Sequence, residues 1–251
     1  MNVVVVNVGT KYPKDYTLRV FNMVKRNTTK DFKFFVYTDQ PDTYPEDHIN
    51  VIEHQGEDYG WWCKLSLFKE GVLPEGDWLY LDLDVVIVDN IDCFFDHPSF
   101  GVTRDFIRPI NGILPGPEFN SSVLRFDTRE TDGIFDYYSR NREHWLGFQK
   151  KVPFFGDQNV ISAYVNHGFD DFLNIFPDEW ISSFKKGVVR GGNAGDRSEW
   201  FGRVIDDGVK IVAFHGNPSP SDILDNREAH LQMGENFVTG DTIGWIEENW
   251  R

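Results

Sequence analysis

The stretch WLYLDLDVVIVDN, from Trp78 to Asn90, is an almost continuous apolar run with two aspartates at its centre. Side chains alternate between the faces of a strand, and both rows of this stretch are mostly apolar, which is typical of a strand covered on both faces of a sheet. Asp82 and Asp84 would then share one face, where two unpaired carboxylates repel each other and are costly to bury. We therefore expect a cation, a protonated partner or a water-filled cleft beside them.

Strands and helices are predicted to alternate on both sides of this stretch. Before it, we predict strands at Val3–Val8, Phe32–Thr38 and Asn50–His54, and helices at Lys14–Arg26 and around Trp61–Phe68, with Gly71 ending the second helix. After it, we predict strands at Phe100–Phe106, Phe119–Asp127 and Val209–Gly216, helices near Thr131–Trp145 and Asp157–His167, and a polar tail of little periodicity from Pro218. This order indicates an α/β fold with a mainly parallel sheet, in which ligands bind beyond the carboxyl ends of the strands.

The composition of the chain narrows the classes of protein to which it can belong. Its 251 residues carry a formal net charge of −15, which argues against a nucleic-acid partner because such proteins usually present a basic face. The start, MNVVVVNVGT, has no basic region, and its apolar run is too short for a signal sequence or a membrane span. Cys63 and Cys93 are expected to be free thiols in a reducing compartment. We therefore expect a cytoplasmic protein without an integral membrane segment.

The aspartate pair and a late histidine form a candidate metal site. Carboxylates at i and i+2 of one strand face can both reach a single hard cation, which removes their repulsion. His215, in the segment AFHGNP, follows the last predicted strand and could supply a third ligand. Two carboxylates with an imidazole favour Mn²⁺, with Mg²⁺ as the alternative. Gly216, next in the chain, would let the backbone approach a phosphate closely.

Four motifs, in this order and spacing, resemble those of the glycogenin-like glycosyltransferases, which are family-eight enzymes with bacterial and phage members. The motifs are YLDLDVVIVDNID, FNSSVLRFD, FFGDQNVIS and VAFHGNPSP, and YGWWCKLSLF is similar to a segment that precedes the metal motif in many relatives. The resemblance spans roughly Val3 to Pro220. It implies the GT-A fold, a Rossmann-like nucleotide-diphospho-sugar transferase fold with a mixed, mainly parallel central sheet flanked by helices.

The resemblance also implies a domain organisation and an activity. We expect a single domain over residues 1–251, with a nucleotide-binding half to about residue 90, an acceptor and sugar half over about 91–217, and a C-terminal tail over 218–251. The expected reaction moves a sugar from a nucleoside-diphosphate sugar, usually a UDP-sugar, to a carbohydrate, lipid-linked or protein acceptor, with retention. No His nucleophile is required, because the metal stabilises the leaving diphosphate.

Site residues are carried over from the matching motifs. The resemblance assigns the metal to Asp82, Asp84 and His215, the nucleobase and ribose to Val8, Thr10 and Tyr12, and a basic role near the donor to Lys64, with Gly216 and Asp82 also facing the donor. It assigns the sugar pocket to Asn120, Ser121 and Ser122, and contacts with the transferred sugar to Asp157 and Gln158 as the catalytic pair.

One position departs from the resemblance. The family often has a lysine shortly after the late histidine, where it holds the leaving phosphate, but FHGNPSP has Asn217 and Ser219 there. The diphosphate could be held instead by residues elsewhere in the chain, namely Lys64, Lys185, Lys186 or Arg190. The last three lie in SFKKGVVRGGN, a glycine-rich basic segment that could equally be an ordinary exposed loop.

Several of these residues would also fit an ordinary structural role. Tyr12 could be a surface ring, Lys64 a solvated helix lysine, and Asn120 a hydrogen-bonding residue at a strand edge. Asp157 could cap the helix that follows it. An acceptor platform and a core position are both open for the aromatic residues Phe154, Phe155, Trp180 and Trp200.

Three other functions compete with sugar transfer. The run DLDVV fits the nucleophile motif of haloacid-dehalogenase-type phosphatases, although that motif is expected on an early strand. A non-catalytic sugar-binding module would explain the tryptophans but would not need a buried aspartate pair. A nucleotidyltransferase would normally begin with a glycine-rich basic loop after the first strand, which VGTKYPKDY matches poorly.

Overall fold

A computed structural model describes residues 1–106, 119–131, 133–152, 155–166, 174–184, 208–228 and 240–251 of the chain. The strands are β1 (Asn2–Asn7), β2 (Lys33–Thr38), β3 (Ile49–Glu53), β4 (Asp77–Leu81), β5 (Val85–Ile87), β6 (Gly101–Arg104), β7 (Phe119–Asp127), β8 (Asn174–Ile175), β9 (Ile181–Ser183) and β10 (Ile211–Ala213). The helices are α1 (Lys14–Arg26), α2 (Asp92–Asp96), α3 (Gly133–Arg140), α4 (Arg142–Gln149), α5 (Asp157–Asn166), α6 (Pro220–Asp225) and α7 (Gly240–Asn249), with 3-10 helices at Pro41–Thr43 and Gly60–Phe68.

The central sheet has seven strands in the order β3-β2-β1-β4-β7-β6-β8. The pairs from β3 to β4 are parallel, β7 is antiparallel to both of its neighbours, and β8 is parallel to β6. A second sheet has the order β5-β10-β9. The predicted α/β class with a mixed, mainly parallel sheet is therefore confirmed, and helix α1 and strand β7 begin and end where the sequence predicts.

Strand β1 illustrates why the apolar runs of this chain form central strands. Val3 and Val5 pack with Phe34 in one core cluster. Val4 packs with Trp78 in the other cluster. Because successive side chains point to opposite faces, a strand covered on both sides needs an apolar residue at every position.

The prediction of one continuous strand over the aspartate pair is wrong. Strand β4 ends at Leu81, the chain turns, and β5 begins at Val85 in the second sheet, paired with β10. Asp82 and Asp84 lie in the break and not on one face of a strand. The physical reason is that both faces of this sheet are apolar, so carboxylates can meet polar partners only where the chain leaves the ladder.

The helix predicted around Trp61–Phe68 is a 3-10 helix over Gly60–Phe68 and not an α-helix. Every residue from Trp62 to Phe68 is buried, so beyond its first two residues the helix has no solvent face and no one-sided apolar stripe. Tertiary packing on all sides therefore overrides the local preference. Gly71 has a φ of 80° but lies beyond the cap residue Lys69, so the prediction that it ends this helix is also wrong.

Other differences concern boundaries and the tail. The helix predicted near Thr131–Trp145 is two helices, α3 and α4. The predicted end of α5 at His167 and the connection at Pro109–Pro117 lie outside the described residues. The segment after Pro218, predicted to have little periodicity, contains α6 and α7. Within the described ranges, no helix combines the length and the apolar character that crossing a membrane requires.

Helix α7 closes one face of the core. Ile246 is fully buried in the core cluster that also holds Val3 and Val5. The ring of Trp250, just after the helix, meets the Tyr16 ring edge-on at 4.8 Å. The end of the chain therefore packs against the same core as strand β1.

We expect Ile246→Ala to lower the free energy of unfolding by about 2–5 kcal/mol, because it leaves a cavity between α7 and the sheet. Urea denaturation measures this change. Glu248→Ala, an exposed change on the same helix, is the control and should alter the value by less than about 0.5 kcal/mol. Equal stability of the two variants would contradict the packing of α7.

Candidate functional site

The carboxyl ends of β1 and β4 open onto the break between β4 and β5. The loop after β1 contributes Tyr12, and the break contributes Asp82 and Asp84. Antiparallel pairing aligns Leu81 of β4 with Val123 of β7, so the first residues of β7 run past the same edge. Ligands of open α/β sheets bind at this edge.

A buried ammonium group organises one half of the site. Lys64 is 4% exposed, and its Nζ lies 3.0 Å from Asp82 Oδ1 and 2.9 Å from Asp157 Oδ2. The same Nζ donates to the carbonyl oxygen of Ser121 at 3.0 Å and to its Oγ at 2.9 Å. Ser121 Oγ in turn donates to Asp157 Oδ2 at 2.6 Å. The 3-10 helix, the break after β4, strand β7 and the start of α5 are thus joined through one cation.

The charges around this ammonium keep it protonated. Burial lowers the pKa of Lys64, but Asp157 and Asp82 more than offset that effect, so the pKa is raised above its usual value. The hydroxyl of Tyr80 donates to Asp82 Oδ1 at 2.5 Å, and burial together with Asp82 raises the Tyr80 pKa. Asp82 is therefore compensated by a cation and a neutral phenol.

Asp84 has weaker compensation than Asp82. It is 5% exposed, and its Oδ2 accepts from the Tyr12 hydroxyl at 3.1 Å and from the Gly216 N–H at 3.4 Å. Burial and then the charge of Asp82 raise the pKa of Asp84, whereas Lys11 acts to lower it. Burial and then Asp84 raise the pKa of Tyr12. Among the described residues, Asp84 thus has hydrogen bonds and the charge of Lys11, but no ion pair like the one that Lys64 forms with Asp82.

The segment after β10 brings His215 to the same edge. The Phe214 N–H donates to the backbone oxygen of Asp84 at 3.1 Å, which fixes this segment against the break. His215 has a φ of 39°, an uncommon conformation for a residue other than glycine. Its Nε2 lies 2.6 Å from Ser183 Oγ, and its ring stacks on Phe106 at 5.3 Å.

The structure describes no assembled metal centre. Among the described residues, no group of three or more His, Cys, Asp or Glu side chains is arranged to hold a metal ion. Asp82, Asp84 and His215 lie on neighbouring segments but are not gathered around one point. Their assignment to a metal remains a prediction.

The predicted sugar pocket contains an additional carboxylate. Gln158 Nε2 donates to Asp105 Oδ2 at 2.9 Å, and Asp105 is 5% exposed. Asn120 is buried, and its Oδ1 accepts from the Ser122 N–H at 2.9 Å. Sequence reasoning missed Asp105, although its position directly after strand β6 is the kind of signal that marked the aspartate pair.

The other predicted donor residues have less direct links to this cluster. Val8 packs against a core cluster, and Thr10 is exposed. Gly9 lies between them, and its N–H donates to Asp39 Oδ1 at 3.0 Å. Lys186 lies outside the described residues, as do Lys185 and Arg190.

The contacts of Lys64, Tyr12 and Asp157 exclude the ordinary structural roles considered for them. Lys64 is not a solvated lysine, and Tyr12 is held by Asp84 and is not a loose surface ring. Helix α5 begins at Asp157 itself, so Asp157 is not the residue that caps it. Its carboxylate is engaged by Lys64 and Ser121 instead.

An acceptor platform and a core position were both open for four aromatic residues, and two of these residues pack in the core. Phe155 is fully buried and stacks on Trp145 at 5.8 Å, so its ring offers no face to a ligand. Trp180 packs against the core, with its ring 5.2 Å from that of Phe94. The other two of these aromatic residues, Phe154 and Trp200, lie outside the described residues.

A cavity of about 410 Å³ lies apart from the aspartate cluster. Its walls include Tyr37, Lys69 and Phe135, and the ion pair of Asp58 with Arg142. None of the predicted site residues lines this cavity, so the cavity and the carboxylate cluster are different places on the molecule. We take the carboxylate cluster as the candidate site, because it combines perturbed ionisable groups with the ligand edge of the sheet.

Comparison with known proteins supports the fold. The chain is similar in structure to the galactosyltransferase LgtC in complex with donor and acceptor sugar analogs, with a TM-score of 0.64 and 16% identity over 88% of this chain and 89% of that one. It is also similar to the glycosyltransferase GlyE of Streptococcus pneumoniae TIGR4, with a TM-score of 0.58 and 15% identity over 87% of this chain and 56% of that one. The chain matches no protein-family model and no curated protein. The predicted GT-A fold is confirmed, whereas membership of family eight stays a prediction.

We expect Lys64→Met to lower the free energy of unfolding by about 3–5 kcal/mol, because it leaves Asp82 and Asp157 buried without their cation. Adding Asp157→Asn should recover part of that loss. Chemical denaturation measures both changes. Lys69→Met, which removes an exposed lysine five residues later, is the control and should change stability by less than about 1 kcal/mol. Similar values for Lys64→Met and Lys69→Met would contradict the role given to the buried ammonium.

Proposed function

We propose that this protein is a metal-dependent glycosyltransferase that moves a sugar from a UDP-sugar to an acceptor with retention of configuration. The observation that carries the proposal is the meeting of the aspartate pair, a buried lysine and the Asp157–Gln158 pair at the ligand edge of a GT-A sheet. The likeness to LgtC, a galactosyltransferase solved with donor and acceptor sugar analogs, supports it.

A divalent cation fits the chemistry of the aspartate pair. Asp84 is buried, and the neighbouring charge of Asp82 raises its pKa, so a cation shared by the two would relieve a charge imbalance in the site. The oxygen donors of the pair, with an imidazole nitrogen of His215, suit Mn²⁺, with Mg²⁺ as the alternative. When bound, the cation supplies electrostatic stabilisation of the leaving diphosphate. Ser183, at 2.6 Å from His215 Nε2, would orient the imidazole ring.

The remaining donor contacts come from the loops around the pair. Tyr12, with Val8 and Thr10, would hold the nucleobase and ribose. Gly216 would offer its backbone to a phosphate oxygen. Lys64 is already engaged by two carboxylates, which makes it a positioning residue and not the substitute for the missing phosphate lysine. Lys11 is exposed and acts on the Asp84 charge, so it is the described cation that we assign to the diphosphate, while Lys186 remains a second candidate.

The transferred sugar would lie between α5 and the start of β7. Asp157 and Gln158, with Asp105, present carboxylate and amide groups that suit sugar hydroxyls. Ser121 and Asn120 extend the same polar wall. Lys64 and Ser121 both contact Oδ2 of Asp157, which fixes where this carboxylate lies. Retention is proposed from the resemblance of the four motifs.

The proposed division of the chain follows from these roles. Residues to about 90 would hold the nucleotide and residues of about 91–217 the sugar and acceptor. The contact of Lys64 with Asp157 joins the two parts. Cys63 and Cys93 are free thiols, as a reducing compartment favours, and we propose a cytoplasmic location.

We expect the wild-type protein with Mn²⁺ to release UDP from UDP-glucose or UDP-galactose, and EDTA to abolish the release. Asp84→Asn should lower the rate by at least about 100-fold, because the leaving group loses its electrostatic stabilisation. A coupled assay for free UDP measures the rate. Asp89→Asn makes the same chemical change at an exposed aspartate of the same motif, and it should retain the wild-type rate within about twofold.

Two results would contradict the proposal. Metal-dependent hydrolysis of p-nitrophenyl phosphate without turnover of any UDP-sugar would favour the phosphatase interpretation of DLDVV. An equal rate in Asp84→Asn and Asp89→Asn would remove the aspartate pair from the mechanism.

A further inference from the structure

Two large hydrophobic side chains are exposed within the described part of the chain, and both lie in one segment. They are Tyr59, which is 66% exposed, and Trp61, which is 44% exposed. Single exposed hydrophobic residues are ordinary in soluble proteins, so exposure alone assigns them no role. The neighbours of each ring, and not its exposure, decide whether the ring belongs to the candidate site.

Trp61 is held by a rigid support. Its neighbour Trp62 is buried, donates from Nε1 to Gln149 Oε1 at 2.9 Å and stacks on Tyr138 at 5.5 Å. The backbone at Trp61 is therefore fixed from the core side. An exposed tryptophan on a fixed backbone loses little conformational entropy when a ligand covers it.

The 3-10 geometry directs Trp61 toward the candidate site. Residues three apart eclipse each other in a 3-10 helix, so Trp61 and Lys64 share one face, one turn or about 6 Å apart along the axis. Lys64 Nζ lies 2.9 Å from Asp157 Oδ2 at the inner end of this face. Trp61 is therefore at the solvent end of the face that carries the buried cation.

The Trp61 ring packs against the backbone of Gly156. A Cβ atom at position 156 would lie 2.8 Å from both Cδ1 and Nε1 of Trp61, which is closer than real Cβ contacts come. The pyrrole side of the indole therefore rests on the Gly156 backbone, directly before Asp157 and Gln158. Phe155, buried in the core, anchors that backbone. The exposed indole thus adjoins the residues proposed to contact the transferred sugar.

We propose that Trp61 is the face on which the sugar ring of a saccharide acceptor stacks. A pyranose has an apolar C–H face and a polar rim, and a flat aromatic ring beside carboxylate and amide groups complements both. Stacking on Trp61 would bring a hydroxyl of the acceptor to the Asp157–Gln158 end of the site. The inference rests on the proposed function and extends it by naming the acceptor class.

Ligand-observed NMR with methyl α- and β-glucopyranoside, methyl β-galactopyranoside, lactose and maltose tests this proposal. We expect at least one of these sugars to bind the wild-type protein. Trp61→Ala should weaken that binding about tenfold, whereas Trp61→Phe, which keeps a ring, should weaken it by less than about threefold. Tyr59→Ala is the control, because it removes an exposed ring from the same segment, and it should leave the affinity unchanged.

The outcomes separate this inference from the proposed function. Absence of binding by every sugar on the panel, or equal affinity in Trp61→Ala and the wild type, would overturn it, as would an equal loss in Tyr59→Ala. Normal UDP release by the wild-type protein, combined with sugar binding that does not depend on Trp61, would reject the role of Trp61 and leave the proposed transferase activity standing. Trp61-dependent sugar binding without any UDP-sugar turnover would reject the transferase and retain the saccharide face.

Discussion

The enclosure of the Lys64 ammonium between Asp82 and Asp157 is the interaction on which the rest of the site depends. It joins a 3-10 helix, the break after β4 and the start of α5, three segments that are distant in sequence. A buried ion pair is weak evidence for high stability, because desolvation offsets much of the attraction. Its consequence here is positional: the ammonium and the oxygens of Ser121 fix where both carboxylates lie. The binding of a donor through a metal, as proposed here, would need that preorganisation.

Local periodicity was sufficient for the elements whose surroundings are simple. Helix α1 has one buried stripe, and the valines of strand β1 pack into core clusters on both faces of the sheet, so each has the pattern that its geometry requires. The break at Asp82 was not predictable in this way, because the residues around the pair in Leu79–Ile87 are apolar on both faces. The position of the turn depends on the polar partners of the two carboxylates, which come from other segments of the chain. The 3-10 geometry over Gly60–Phe68 likewise depends on burial from all sides, which a single segment does not encode.

The site was predictable where its residues sat in motifs and unpredictable where the topology assembled it. The aspartate pair stood out as carboxylates within an apolar run, and Asp157 was assigned through its match to the GDQN motif. Asp105 and Ser183 come to Gln158 and His215 through strand pairing that the sequence does not reveal. The two adjacent tryptophans have the same side chain but opposite environments, one enclosed by the core and one exposed on Gly156, so their roles follow only from the fold.

The central claim is that a cation shared by Asp82 and Asp84 holds a nucleoside diphosphate. Anomalous X-ray diffraction from crystals soaked with Mn²⁺ and UDP tests it most directly. We expect an anomalous peak within bonding distance of both carboxylates and of a diphosphate oxygen, with an imidazole nitrogen of His215 completing the protein ligands. Ordered UDP without manganese at these carboxylates, or UDP bound in the cavity beside Asp58 and Arg142, would contradict the claim.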